Sequence, residues 1–197
     1  MTEWPATIDR RYHDAVIFDL GCMVAEAGDG AVEVCDSTVP LLRRLREVGA
    51  ATAVCSTTRE CAPALRAAGI AELVDVLIDD DLGGKDRQAI LTEMAGRLGV
   101  RPVRCVVIGR DADGARAGRD GGFGLVLGLQ RNGHADELLE AGADTVVADL
   151  AEISVRRGGK DMLAIADALQ VYNQLKELVA TRRPAVFLDF DGTLSEI

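Results

Sequence analysis

Apolar and polar positions along the chain follow two rhythms that alternate. Short apolar runs recur at Ala15–Asp19, Ala51–Cys55, Val74–Ile78, Arg104–Ile108, Gly124–Leu129 and Thr145–Ala148. Each reads as a strand, with Thr145–Ala148 the last of the series. Helical stripes lie between them at Ser37–Gly49 (apolar at Leu41, Leu42, Leu45 and Val48), Arg59–Gly69, Asp86–Leu98, Asp113–Gly121 and a shorter His134–Ala141. Gly49 and Gly69 stand where two of these stripes stop, as expected of residues that close a helix in the left-handed conformation. Strand and helix in strict repetition predict an α/β fold. Its sheet is mainly parallel, helices cover both faces in three layers, and the crossovers are right-handed.

Beyond Asp149 the rhythm changes. Arg156-Arg157-Gly158-Gly159-Lys160 is polar and glycine-rich and reads as a linker. Met162–Ala180 then carries a long helical stripe through Leu163, Ile165, Ala166, Leu169, Tyr172, Leu175 and Leu178. Pro184 ends it, since proline disfavours helix in the residue before it. The chain therefore divides into a domain over 1–155, a linker with a long helix over 156–183, and a new strand with its following loop over 184–197.

Composition narrows the function classes. A 48% hydrophobic fraction with few aromatics implies a core of Val, Leu, Ile and Ala. The net charge of −10 argues against a nucleic-acid partner, because phosphate backbones demand a basic surface. No apolar run is long enough to span a membrane or serve as a signal peptide. Five cysteines (Cys22, Cys35, Cys55, Cys61 and Cys105) are scattered without a C-x-x-C pair, which disfavours zinc and suits a reducing cytoplasm.

The strongest chemical signal lies in the last residues. Ala185-Val186-Phe187-Leu188 leads into Asp189-Phe190-Asp191-Gly192-Thr193-Leu194. Two carboxylates one residue apart at a strand end can converge where the chain turns, and Gly192 permits that turn. Thr193 offers a hydroxyl and a backbone N–H. A weaker echo occurs much earlier, where Ala15-Val16-Ile17-Phe18 leads into Asp19-Leu20-Gly21.

D-x-D-G-T after an apolar strand resembles the opening motif of haloacid dehalogenase (HAD) type phosphatases. The resemblance implies that Asp189 is the nucleophile, that Asp191 is the general acid and base, and that both sit at a Mg²⁺ site. The first domain resembles the same family in scaffold, over about residues 12–150. Asp19 stands at the nucleophile position, but Gly21 replaces the acid/base carboxylate, a role worth ~10²–10⁴-fold in rate. Ser56, after the second strand, matches the phosphate-holding hydroxyl. Lys85 matches the family's charge-offsetting lysine, with a plain surface lysine as the alternative. At the family's metal-binding acidic pair the chain has Gly109 and Arg110, followed by Asp111. Mg²⁺ would keep only Asp19 and Asp111, and Arg110 would place positive charge near the metal position. The interval from Asp19 to Ser56 also has to hold the helix at 37–49, so no cap domain fits. The expectation is a capless, catalytically inert domain with a vestigial site at Asp19, Ser56, Lys85, Arg110 and Asp111.

Taken together with Pro5–Val16 and Gly142–Val155, this arrangement is similar to the N-terminal part of bacterial two-domain trehalose-6-phosphate phosphatases. The resemblance implies a cytoplasmic, Mg²⁺-dependent enzyme of trehalose biosynthesis whose substrate is a sugar phosphate. The chain would stop just after the first motif of its C-terminal catalytic domain, the first domain's partner. Two other readings stay open: a regulatory or interaction module of the pseudo-phosphatase kind, sensing an anion near Ser56, Lys85 and Arg110, and an active phosphoglycolate-phosphatase-like hydrolase using Asp19. Other features read blandly. Asp79-Asp80-Asp81 is a solvated acidic loop, and His13 and His134 lack metal-ligand spacing. Asp111-Ala112-Asp113-Gly114 lacks the remaining ligands of a calcium loop.

Overall fold

A computed structural model describes residues 6–26, 32–56, 61–78, 86–130, 135–158 and 176 of the 197-residue chain. All of these except Lys176 belong to one compact unit, residues 3–159. Elements follow in the order β1 (Thr7–Asp9), β2 (Ala15–Asp19), α1 (Leu20–Met23), β3 (Val24–Glu26), β4 (Val32–Val34) and α2 (Thr38–Glu47). Next come β5 (Ala51–Cys55), α3 (Cys61–Ala67), β6 (Val76–Ile78), α4 (Arg87–Arg97), β7 (Cys105–Gly109) and α5 (Ala112–Asp120). The unit finishes with β8 (Leu125–Leu129), α6 (Ala135–Glu140), β9 (Thr145–Val147) and β10 (Ser154–Arg156).

Six strands form the main sheet in the order β6-β5-β2-β7-β8-β9, and every pairing is parallel. The expected α/β architecture with a mainly parallel sheet is therefore present. Each strand divides its side chains between two cores, as a period of two requires. Val16 and Phe18 of β2, Val54 of β5, Val106 and Ile108 of β7 and Leu127 of β8 enter one core with Leu41, Leu42 and Leu45 of α2 and Leu65 of α3. The alternate residues Ala15, Ile17, Ala53, Cys55, Cys105, Val107 and Val126 enter the other, against Ile90, Leu91 and Met94 of α4, Ala115 of α5 and Leu138 of α6. Burial on both faces explains why β2 reads as a continuous apolar run in the sequence. Helices α2 and α3 end where the glycines predicted: Gly49 and Gly69 take φ of 72° and 68°.

Two features differ from the sequence expectation. Thr145–Val147 is not the final strand. Ser154–Arg156 pairs in parallel with Thr7–Asp9, so Arg156, read from its polarity as linker, ends a strand of this unit. Both partners are three-residue strands, too short for hydrophobic alternation to mark them. The stretch after Asp19 also holds more structure than its sequence announces. Helix α1 is a single turn, and β3 and β4 pair antiparallel directly after it. Such short pieces fall below the window over which periodicity can be read.

Topology places one edge of the sheet apart from the rest. The chain runs outward from β2 to β5 and β6, then crosses back to start β7, β8 and β9 on the other side. The reversal lies between β2 and β7. Crevices outside the carboxyl ends of strands at such a reversal are where open α/β sheets bind ligands.

Candidate functional site

Asp19 ends β2 at this reversal, level with Cys55 of β5, and Phe18 lies beside Ile108 of β7. Continuing past Ile108, the chain delivers Gly109, Arg110 and Asp111 to the same sheet edge. The two acids take the same local role. Asp19 caps α1, its Oδ1 accepting from the Gly21 backbone N–H at 2.8 Å. Asp111 caps α5, its Oδ1 accepting from the Gly114 N–H at 2.7 Å. Side-chain oxygens do this readily because the first N–H groups of a helix have no partner within it.

The remaining oxygen of each carboxylate is also engaged. Arg87, the first residue of α4, brings its Nη2 to 3.1 Å from Asp19 Oδ2 and 2.5 Å from Asp111 Oδ2. Its own helix is capped by Asp86, which accepts from the Ala89 N–H at 2.7 Å and fixes where Arg87 emerges. Arg87 and Asp19 keep only 15% and 13% of their side-chain exposure, whereas Asp111 keeps 46%. Burial by itself would lower the Arg87 pKa, but Asp111 and Asp19 outweigh it and hold the guanidinium above its ordinary value. The arginine is charged throughout the working range of pH.

Arg110 has a different setting. It is exposed, and its guanidinium lies against Gly21 so closely that a Cβ at position 21 would fall 2.5 Å from Arg110 Nε and Cζ. Position 21 and the Arg110 side chain therefore share one place at the sheet edge. Ser56 follows β5, one residue past the Cys55 that pairs with Asp19. Burial pushes the Cys55 thiol up to about 12, helped by the Asp19 charge, so it stays protonated and suits packing rather than nucleophilic use. Lys85, Asp189 and Asp191 lie outside the described residues, as do Asp79-Asp80-Asp81 and His134.

Asp19, Arg110 and Asp111 are thus gathered at one edge of the sheet. Arg110 was the residue expected to bring positive charge near the metal position, but it is Arg87 that sits between the two carboxylates. Arg87 escaped the sequence reading because it falls two residues beyond the Lys85 position and looks like any arginine at a helix start. The run Asp111–Gly114 is the start of a helix, and no calcium loop forms there. A divalent cation does not fit between Asp19 and Asp111 alongside the guanidinium. Among the described residues no three His, Cys, Asp or Glu side chains gather as ligands. Nor is any helix among those residues long and apolar enough to cross a membrane.

Comparison with known proteins adds to this geometry. A trehalose-phosphate phosphatase of Mycobacterium leprae is 47% identical, and the matched region covers 98% of this chain and 44% of that protein. A Mycobacterium tuberculosis protein described as an uncharacterized glycosyl hydrolase is 48% identical over 82% of this chain and 13% of its own length. The chain spans less than half the length of these curated relatives. In fold it matches a putative beta-phosphoglucomutase from Thermotoga maritima with a TM-score of 0.64 at 16% identity, over 84% of this chain and 99% of that one. Residues 9–122, which hold Asp19, Arg87 and Asp111, match the haloacid dehalogenase-like hydrolase family, and the chain belongs to it.

Proposed function

We propose that this chain is part of a Mg²⁺-dependent trehalose-6-phosphate phosphatase in which hydrolysis takes place at Asp189 and Asp191, while the unit over 3–159 is a non-catalytic partner of the catalytic domain. The observation that carries the division of labour is the commitment of both carboxylates at the first site. Each gives one oxygen to a helix N-terminus and the other to Arg87. Both carboxylates are thereby held against a guanidinium, whereas a nucleophile has to be open toward phosphorus and a metal ligand toward its cation. The curated relative named as a trehalose-phosphate phosphatase supports the substrate.

In the proposed reaction the Asp189 carboxylate forms a bond to phosphorus as the bond to the sugar oxygen breaks. Asp191 gives its proton to that oxygen, releasing trehalose. It then takes a proton from the water that attacks the aspartyl-phosphate, releasing phosphate and regenerating Asp189. Mg²⁺, when bound, supplies charge neutralisation on the phosphoryl oxygens. Trehalose biosynthesis in the cytoplasm is the setting that fits such an enzyme.

A regulatory or interaction role for the first unit is compatible with this assignment. Its support is that most of the chain resembles a segment of a protein with a different description, an uncharacterized glycosyl hydrolase. Hydrolysis at Asp19, of the phosphoglycolate-phosphatase kind, is disfavoured by Gly21 and by the Arg87 bridge.

The test is phosphate release from trehalose 6-phosphate by a protein extended through the whole catalytic domain. Asp189→Asn is expected to abolish turnover, and Asp19→Asn to leave it intact. Full activity in Asp189→Asn, or loss of it in Asp19→Asn, would overturn the assignment.

A further inference from the structure

The place a cation would take between Asp19 and Asp111 is filled from within the chain. We propose that Arg87 is a built-in counter-ion that replaces a divalent metal at this sheet edge, so that the unit holds its two carboxylates together without Mg²⁺ and has no affinity for it there. The proposal rests on the reading that this unit performs no hydrolysis, and it adds what closes the site.

Three observations converge on it. Arg87 Nη2 lies 3.1 Å from Asp19 Oδ2 and 2.5 Å from Asp111 Oδ2, the two carboxylates that would hold a cation at this edge. The opposite oxygen of each acid accepts from the Gly21 or Gly114 N–H, which holds both carboxylates with their second oxygen toward Arg87. Mg²⁺ is usually held by one or two carboxylates with waters completing its octahedron, and here the two oxygens that would hold it already face a guanidinium. The balance of charge agrees. The two negative charges of Asp19 and Asp111 face the two positive charges of Arg87 and Arg110. Unlike a bound metal, the guanidinium cannot be removed by a chelator or by mild acid.

The experiment uses the 197-residue chain carrying Asp189→Asn and Asp191→Asn, so that bound metal reports only on the first unit. Mn²⁺ is the probe, with paramagnetic broadening of the Gly21 and Gly114 amide resonances as one readout and the thermal midpoint as the other. With Arg87 present, neither readout responds to millimolar Mn²⁺. In Arg87→Met, which keeps much of the stem, both amides broaden and the midpoint rises with Mn²⁺. Adding Asp19→Asn to Arg87→Met removes both responses. A purely structural arginine would leave Arg87→Met destabilised but blind to metal, and that result would overturn the proposal. Broadening of these amides while Arg87 is present would overturn it too. If Arg87→Met folds only with Mn²⁺ the proposal stands, and if it fails to fold even then the proposal falls. The functional reading fails separately, through Asp19-dependent phosphate release.

Discussion

The two ends of the main sheet carry charge clusters of opposite make-up. At the carboxyl ends of β2 and β7, one guanidinium, Arg87, lies between two carboxylates, Asp19 and Asp111. Just before the amino ends of the same strands, one carboxylate, Asp14, lies between two guanidinia, Arg10 and Arg104. Burial separates them. Arg87 and Asp19 keep 15% and 13% of their exposure, although Asp111 keeps 46%, whereas Arg10, Asp14 and Arg104 keep 23%, 32% and 31%. The Asp14 cluster ties the turn after β1 to the approach to β7 in a place where water already serves both charges well. The Arg87 cluster sits where the fold builds a crevice, so its charges lean on one another more than on solvent. Removing a partner there leaves an uncompensated pair, while removing one at the amino end leaves a solvated side chain.

The largest effect should come from breaking the more buried cluster. Arg87→Met is expected to lower stability by about 2–3 kcal/mol, less than for a fully buried pair because Asp111 stays half exposed. Urea unfolding at neutral pH measures it, and a loss no larger than that of an exposed pair would erase the contrast between the two ends.

A smaller and salt-sensitive effect is expected from Asp14→Asn, with pH as the sharper probe. Arg104 beside it, then Arg10, hold the Asp14 carboxyl well below the usual carboxylate range, against the opposing pull of burial. Asp9 is lowered too, chiefly by the Arg11 side chain. A depressed carboxyl gives stability that is present above its unfolded value of about 4 and is lost as pH falls through its folded value. Stability should therefore fall on acidification below about pH 4, and Asp14→Asn should flatten that slope while costing less at neutral pH than Arg87→Met. An unchanged acid slope would show that the Asp14 cluster contributes nothing. High salt should shrink the neutral-pH cost of Asp14→Asn further than that of Arg87→Met.

The smallest effect is expected at Gly21. The atoms a Cβ would meet there belong to the exposed end of Arg110, which can swing aside. Gly21→Asp should change stability by no more than about 0.5 kcal/mol. It should also release no phosphate from trehalose 6-phosphate in the 197-residue chain, because Asp19 remains bound to Arg87. Activity gained by that single change would mean that only the proton donor was missing from the first site.

Much of this was legible in the sequence for a simple reason. A strand buried on both faces must be apolar throughout, and an amphipathic helix must repeat its apolar residues every three or four positions. These demands wrote Ala15–Asp19, Cys105–Gly109, Thr38–Glu47 and Arg87–Arg97 into the chain within a residue or two. The placement of Asp19 and Asp111 at strand ends followed from the same runs. The β1–β10 pair and the short hairpin after α1 escaped, because three-residue strands hold too few positions for a period to show.

What only the tertiary structure decided is the partner of those carboxylates. Arg87 stands 68 positions from Asp19 and 24 from Asp111, and nothing local distinguishes it from other arginines in the chain. Periodicity reports how a segment meets its own core. The meeting of α4, β2 and the loop after β7 at one edge depends on the order of strands in the sheet and on the crossover that reverses it. Charge pairing across that edge is a property of the assembled layers, and no single stretch of the sequence contains it.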